Sequence, residues 1–201
     1  SIRAGAARRT AAARCWRRSG ARLDTLGAAV IHWPEQAIRE AVAPALPDFS
    51  VEVLPEIDST NTELMRRARS GHMAPVLLVA EQQTAGRGRL GRPWRSAPGA
   101  SLTFSLGLPL GPPDWSGLSL AVGVGVAESL HPEVRLKWPN DLWLGDAHGE
   151  RKLGGILIET ASIGALRYAV IGVGRNVTAP HAVGLAMPAG GLQELLPGVG
   201  A

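Results

Sequence analysis

Val76-Leu77-Leu78-Val79-Ala80 is an unbroken apolar run, and further on Ser101-Leu102-Thr103-Phe104-Ser105-Leu106-Gly107-Leu108 alternates small polar with large apolar side chains. A strand buried on both faces reads as a continuous apolar stretch, whereas a half-buried strand alternates with a period of two. The first segment is therefore expected to be a central strand and the second a half-buried one. The glycine-bearing, arginine-rich segment Glu81 to Gly99 connects them.

Working outward, Ser50 to Leu54 reads as a strand running toward Pro55, and Thr60 followed by Glu63 reads as a capping box opening a helix that Gly71 stops. Pro34 suits the first position of a shorter helix carrying Ile38, Val42 and Ala43. Leu118, Val122, Val126 and Leu130 recur at helical spacing, with Gly123 and Gly125 admitting a close neighbour. Arg135 to Trp138, Leu142 to Leu144, Ile156 to Glu159 and Tyr168 to Val173 read as further short strands. Many short strands with two or three helices predict an α+β domain, a mixed, largely antiparallel sheet with helices packed on one face. After Thr178 the pattern fades into Gly, Ala and Pro with one apolar stretch at Leu192 to Leu196, and no closing element is legible.

The 201 residues suit one domain, and 45% hydrophobic with 19% charged residues exclude a disordered chain. The net charge of +4 is unevenly placed. Seven of the 21 basic residues precede Asp24, the first acidic one, so 14 remain against 17 acidic residues and positions 23–201 sum to −3. The basic character belongs to residues 1–22, which read as a disordered Arg-rich tail, with a transit-like segment as the alternative. Residues 23–201 carry the domain, and no specific nucleic-acid partner is expected of it. A single cysteine, Cys15, excludes an intramolecular disulfide, and a cytoplasmic setting is expected. No apolar run is long enough to span a membrane. The five histidines show no metal-ligand spacing.

In the connecting segment, Gly86, Gly88 and Gly91 allow close backbone approach, while Arg87, Arg89 and Arg92 present planar donors suited to carboxylate and phosphate oxygens. The same loop also reads as a solvated turn or an RGG-like patch for single-stranded nucleic acid.

Its company distinguishes these readings. Glu56-Ile-Asp-Ser-Thr-Asn61, Gln82-Gln-Thr-Ala-Gly-Arg-Gly-Arg89, Gly91-Arg-Pro-Trp94, Lys137-Trp-Pro-Asn-Asp141, Arg151-Lys-Leu-Gly-Gly-Ile156 and Gly172-Val-Gly-Arg-Asn176 follow in this order. Across roughly residues 50–178 the chain closely resembles the biotin–protein ligase family. The resemblance implies a class II synthetase-like catalytic fold that activates biotin with ATP and Mg²⁺ as biotinyl-5′-AMP. It further implies transfer of the biotinyl group to a lysine of a biotin carboxyl carrier protein domain.

By the same resemblance, Ser59, Thr60, Asn61 and Gln83 are neutral contacts for biotin, and Lys152, one of only two lysines, offsets charge at the reacting carboxylate and phosphate. Arg87, Arg89 and Arg92, on a loop hinged at Gly86 and Gly88, would close over the ligand and exclude water. Asp141, after Asn140, is the candidate for Mg²⁺; a turn residue bonding its own backbone is the alternative. Trp94 offers a face to adenine or belongs to the core. Gly154, Gly155, Gly172 and Gly174 let strands approach the ligand, and Asn176 is expected on the ribose or phosphate side. Arg175 departs from the pattern by placing a charge where an aliphatic residue is usual. The resemblance also implies an SH3-like barrel beyond the catalytic part, and no such sequence follows, so the chain reads as truncated there; nor do the first 50 residues read as a winged-helix repressor module. The rival readings are a lipoate or octanoate ligase or transferase of related fold and a non-catalytic nucleic-acid-binding fragment.

Overall fold

The computed structural model describes residues 33–112, 114–146, 149–180 and 187–200, together with the backbone of a two-residue antiparallel pair, β1 (Arg22–Leu23) and β2 (Ala29–Val30). The expected tail lies outside these residues except for Arg22.

Seven further strands form one sheet: β3 (Ser50–Ile57), β4 (Val76–Gln83), β5 (Ser101–Pro109), β6 (Arg135–Lys137), β7 (Asp141–Asp146), β8 (Gly149–Ile163) and β9 (Leu166–Asn176). Their order is β3-β4-β5-β9-β8-β7-β6; only β3 and β4 are parallel, and all other neighbours are antiparallel. The helices are α1 (Glu35–Val42), α2 (Thr60–Arg69) and α3 (Leu118–Leu130), with short 3₁₀ turns at Arg89–Gly91 and Leu192–Glu194. Pro55 fits because β3 is an edge strand, where a missing N–H breaks no ladder. The mixed, largely antiparallel α+β class is as the pattern predicts.

The helices do not share one face. In a strand, successive side chains alternate sides. The α2 residue Asn61 bonds to the Glu159 side chain, while Gly123 of α3 packs against Ile156, which points the opposite way on β8. Two cores result. Leu64, Met65 and Ala68 of α2 bury against Val76, Leu78, Tyr168 and Val170 on one face. Ala127 of α3 joins Val134, Leu142, Leu144, Leu153 and Leu192 on the other. Each fully buried leucine contributes about 1.5–3 kcal/mol.

Three local expectations change. The cap of α2 is Ser59, whose hydroxyl accepts from the Thr62 N–H, because Thr60 turns its own hydroxyl to Gln83. The polar side of β5 is not solvated: Ser101, Thr103 and Ser105 are buried, since that side faces α2 and the loop before β5. The segment after Thr178 also closes onto the fold. Lys152 N–H donates to Pro188, Gly190 N–H donates back to Lys152, Arg151 pairs with Glu194 at 2.8 Å, and Leu192 is buried. The sparse alternation there hid a strap held mainly by backbone bonds.

Candidate active site

Registers β5–β9, β9–β8, β8–β7 and β7–β6 place Thr103, Gly174, Gly155, Asp141 and Lys137 directly opposite one another in a single row. A neighbouring row on the same face holds Ser105, Gly172 and Leu157. Paired residues in a ladder project to one side, so this face, shared with α2, carries almost every residue singled out in the sequence.

Glycine is required at two of these points. A Cβ on Gly172 would overlap the Asn61 side-chain oxygen, and one on Gly174 would lie 2.8 Å from Trp94 Nε1. A Cβ on Gly155 would make only ordinary contact, 3.4 Å from Asp141 Oδ1 and 3.7 Å from Lys152 Nζ, whereas the first two positions exclude one. Gly86 is buried and equally constrained, with the Trp94 carbonyl oxygen 2.5 Å from its would-be Cβ. Gly88 has no such constraint.

At the α2 end, Thr60 donates both its N–H, at 2.7 Å, and its hydroxyl, at 3.0 Å, to Gln83 Oε1. That double acceptance assigns the carbonyl end of Gln83 and leaves its amide as a donor. Ser105 Oγ lies 2.7 Å from Thr60 Oγ1 and 2.6 Å from Asn61 Oδ1. Asn61 Nδ2 donates to the Leu157 carbonyl and, at 2.9 Å, to Glu159. Ser59, Thr60 and Asn61 are all buried, their side chains are neutral, and the Glu159 carboxylate completes the network.

At the β7–β8 end, Lys152 Nζ lies 2.8 Å from Asp141 Oδ1, and neither side chain is more than 28% exposed. Asn140 donates to the Ile156 carbonyl, and Ile156 N–H donates to the Asn140 carbonyl, so the turn before β7 is tied to the platform. Asp141 thus serves an ion pair and not its own turn backbone. Its one carboxylate, with Oδ1 engaged, suits an ion carried mainly by phosphate oxygens and water; among the described residues no cluster of three acidic, histidine or cysteine groups could hold a metal by itself.

The segment from Thr84 to Ala100 crosses between the two ends. Arg87 pairs with Glu159 at 3.0 Å, and Arg89 Nη1 reaches Asn140 Oδ1 at 3.5 Å. The Gly88 N–H bonds to the Arg92 carbonyl, and the Trp94 N–H bonds to the Gly86 carbonyl, tying the loop to itself. Trp94 is half-buried with its indole laid on Gly174, and the Arg92 side chain is exposed.

The structure brings together Ser59, Thr60, Asn61, Gln83, Gly86, Arg87, Arg89, Trp94, Asn140, Asp141, Lys152, Gly155, Gly172 and Gly174. Asn176 stands apart: buried, it spends its amide on the Gly190 carbonyl and anchors the strap. Arg175 points to the opposite face, where its register neighbours are Leu102 and Gly154. It is 1% exposed, and burial pushes its guanidinium pKa down to about 10. The charge that departs from the family pattern is thus kept off the face shared with α2. Sequence reading missed Ser105 and Glu159; the β5 alternation flagged the first as polar, and its burial was the missing piece.

Comparison with known proteins follows this geometry. The pattern of the Biotin/lipoate A/B protein ligase family matches residues 53–176. The bifunctional ligase/repressor BirA of Salmonella typhimurium is 48% identical over 142 residues, covering 66% of this chain and 42% of the relative. The biotin–[acetyl-CoA-carboxylase] ligase of Mycobacterium tuberculosis is 42% identical over 145 residues, 66% of this chain and 52% of the relative. The chain therefore spans about half, or less, of the length of these relatives. Among solved structures, the biotin protein ligase of Aquifex aeolicus in complex with biotin and ATP superposes with a TM-score of 0.57 at 31% identity, covering 72% of this chain and 60% of that one.

Proposed function

Because this chain belongs to the biotin/lipoate A/B protein ligase family, we propose that it activates biotin with ATP to biotinyl-5′-AMP and transfers biotin to a lysine of a biotin carboxyl carrier protein domain. The observation that carries this reading is the connected series Arg89, Asn140, Asp141, Lys152. It puts a loop guanidinium and a platform ammonium on one side of one sheet, at 3.5 Å and 2.8 Å contacts through adjacent residues.

The neutral end fits an uncharged ureido head: Gln83 offers its amide hydrogens, and Ser59, Thr60 and Asn61 surround it without charge. The glycine row lets an apolar body lie flat on the sheet toward Lys152. There the biotin carboxylate oxygen attacks the α-phosphorus of ATP, a P–O–C bond forms, and the bond to pyrophosphate breaks. Lys152 offsets the charge that gathers between the two anions, and Arg89 closes over the adenylate and holds it once formed. Trp94, with one ring face on Gly174, offers the other to adenine. Asp141, through Oδ2, would hold a Mg²⁺ that arrives with the triphosphate and lowers its charge. In the second half-reaction the unprotonated amine of the carrier lysine attacks the acyl carbon and AMP leaves, while the loop keeps water from competing. We place the reaction in the cytoplasm, in keeping with the single cysteine; among the described residues no helix is long and apolar enough to cross a membrane.

Incubation of the 201-residue chain with biotin, ATP and Mg²⁺ should yield biotinyl-AMP and pyrophosphate, and label on a carrier-domain lysine. Absence of both products with folded protein would overturn the reading. Lipoyl-AMP formed in preference to biotinyl-AMP would replace it with the related lipoate reading.

A further inference from the structure

Glu159 has no part in the chemistry described above, yet its carboxylate touches both halves of the proposed biotin site. Oε2 accepts from Asn61 Nδ2 at 2.9 Å and from Arg87 Nη2 at 3.0 Å, and Oε1 lies 3.2 Å from the same guanidinium nitrogen. Asn61 is buried at the start of α2, whereas Arg87 is an exposed side chain of the crossing loop. The Glu159 side chain is 27% exposed, so the pair is partly shielded. Ser105 fixes the other end of the Asn61 amide, so Asn61 has only one orientation that satisfies both neighbours.

We propose that Glu159 is a positioning residue that latches the arginine loop to the start of α2, setting Arg87 and Asn61 with one carboxylate. Glu159 does not touch the reacting atoms, and it acts through Arg87 on ligand retention and through Asn61 on biotin orientation. Opening of the loop breaks the contact to Arg87 while that to Asn61 persists, so the latch resets on closure. The inference rests on the ligase reading for its substrate, though the latch itself is a property of the loop.

The test is a double-mutant cycle with Glu159→Gln and Arg87→Ala in the full chain, read two ways. The first is trypsin cleavage after Arg89 and Arg95 without ligand. Glu159→Gln is expected to speed it about five-fold, the change a partly exposed ion pair supports. Arg87→Ala should do the same, and the double variant should be no faster than either single. The second is kinetics: Glu159→Gln should raise the biotin KM and the rate of biotinyl-AMP release by a similar factor, with a smaller change in kcat, and Glu159→Asp should restore part of the loss. Cleavage at the parent rate in Glu159→Gln, or effects of the two substitutions that add, would overturn the latch. Should Glu159→Gln lower the melting temperature markedly, Arg87→Ala on the exposed loop decides, since parent-like cleavage there also overturns it. A parent that forms no biotinyl-AMP would sink the ligase reading, and the trypsin cycle would still decide the latch.

Discussion

Two sets of cations lie on one face of this sheet, and they are held in different ways. Lys152 stands on β8 inside an antiparallel ladder, beside its partner Asp141 and under backbone bonds from the strap at Pro188 and Gly190. Arg87, Arg89 and Arg92 stand on a loop fastened to the sheet by the Glu159 pair, the long Asn140 contact and the Trp94 indole. The ladder fixes a charge at low entropic cost at the moment of reaction, which is what stabilising a developing charge requires. The loop can part from the sheet and return, which is what admitting a substrate and retaining an adenylate require. Under the proposed function, chemistry falls to the platform and retention to the loop, and substitutions in the two should fail differently.

The largest effect is expected on the platform. Lys152→Met should lower the rate of biotinyl-AMP formation by roughly 100- to 1000-fold in single-turnover assays, with biotin affinity changed far less, because one preorganised charge stabilises the transition state. An equal loss in affinity would instead make Lys152 a binding group. Next, Gly172→Val should displace Asn61 and cost about 2 kcal/mol of stability together with biotin binding, measured by denaturant unfolding and calorimetry. A neutral result would mean that Asn61 is not seated as described. On the loop, Arg89→Gly should speed adenylate release on the order of ten-fold while leaving its formation within a few-fold of the parent, measured by trapping free biotinyl-AMP. Slowed formation with unchanged release would erase the division between the two regions.

The smallest effect concerns the reverse side of the platform. Arg175→Met should raise the unfolding free energy by about 1–3 kcal/mol near neutral pH, since a buried charge is replaced by a side chain of similar length. The folded-state pKa is depressed to about 10, below the ordinary arginine value, so above pH 10 the unfolded chain keeps a proton that the folded one loses. The cost is fully present below pH 10 and eases as the pH rises through that window. The advantage of the Met variant over the parent should accordingly shrink above pH 10, which paired thermal melts in that range will read. An advantage independent of pH would point to packing and not charge.

How far the sequence foretold this division depends on the kind of signal. Periodicity gave the strands and helices from Ser50 to Val173, because apolar spacing reports burial directly. It misjudged β5, since Ser101, Thr103 and Ser105 look solvated unless the helix above them is known, and it could not assign α2 and α3 to opposite faces, which is a matter of register. The platform residues were legible through their motifs. Glu159 was not, because an acidic residue just after the apolar run Ile156 to Ile158 resembles any surface position until Arg87 and Asn61 arrive from far along the chain. The strap from Pro188 to Leu196 was invisible for a similar reason: its hold is largely backbone bonding and one buried leucine.

The central claim is convergence at one junction, and a crystal structure of the full chain with a non-hydrolysable biotinyl-adenylate analogue tests it most directly. Lys152 Nζ and the Arg89 guanidinium should then lie within about 3 Å of oxygens flanking the acyl–phosphate linkage, with the ureido ring against Gln83 and Asn61. An analogue bound elsewhere, or lying on this face with Lys152 still closed on Asp141 and out of reach of the linkage, would contradict it.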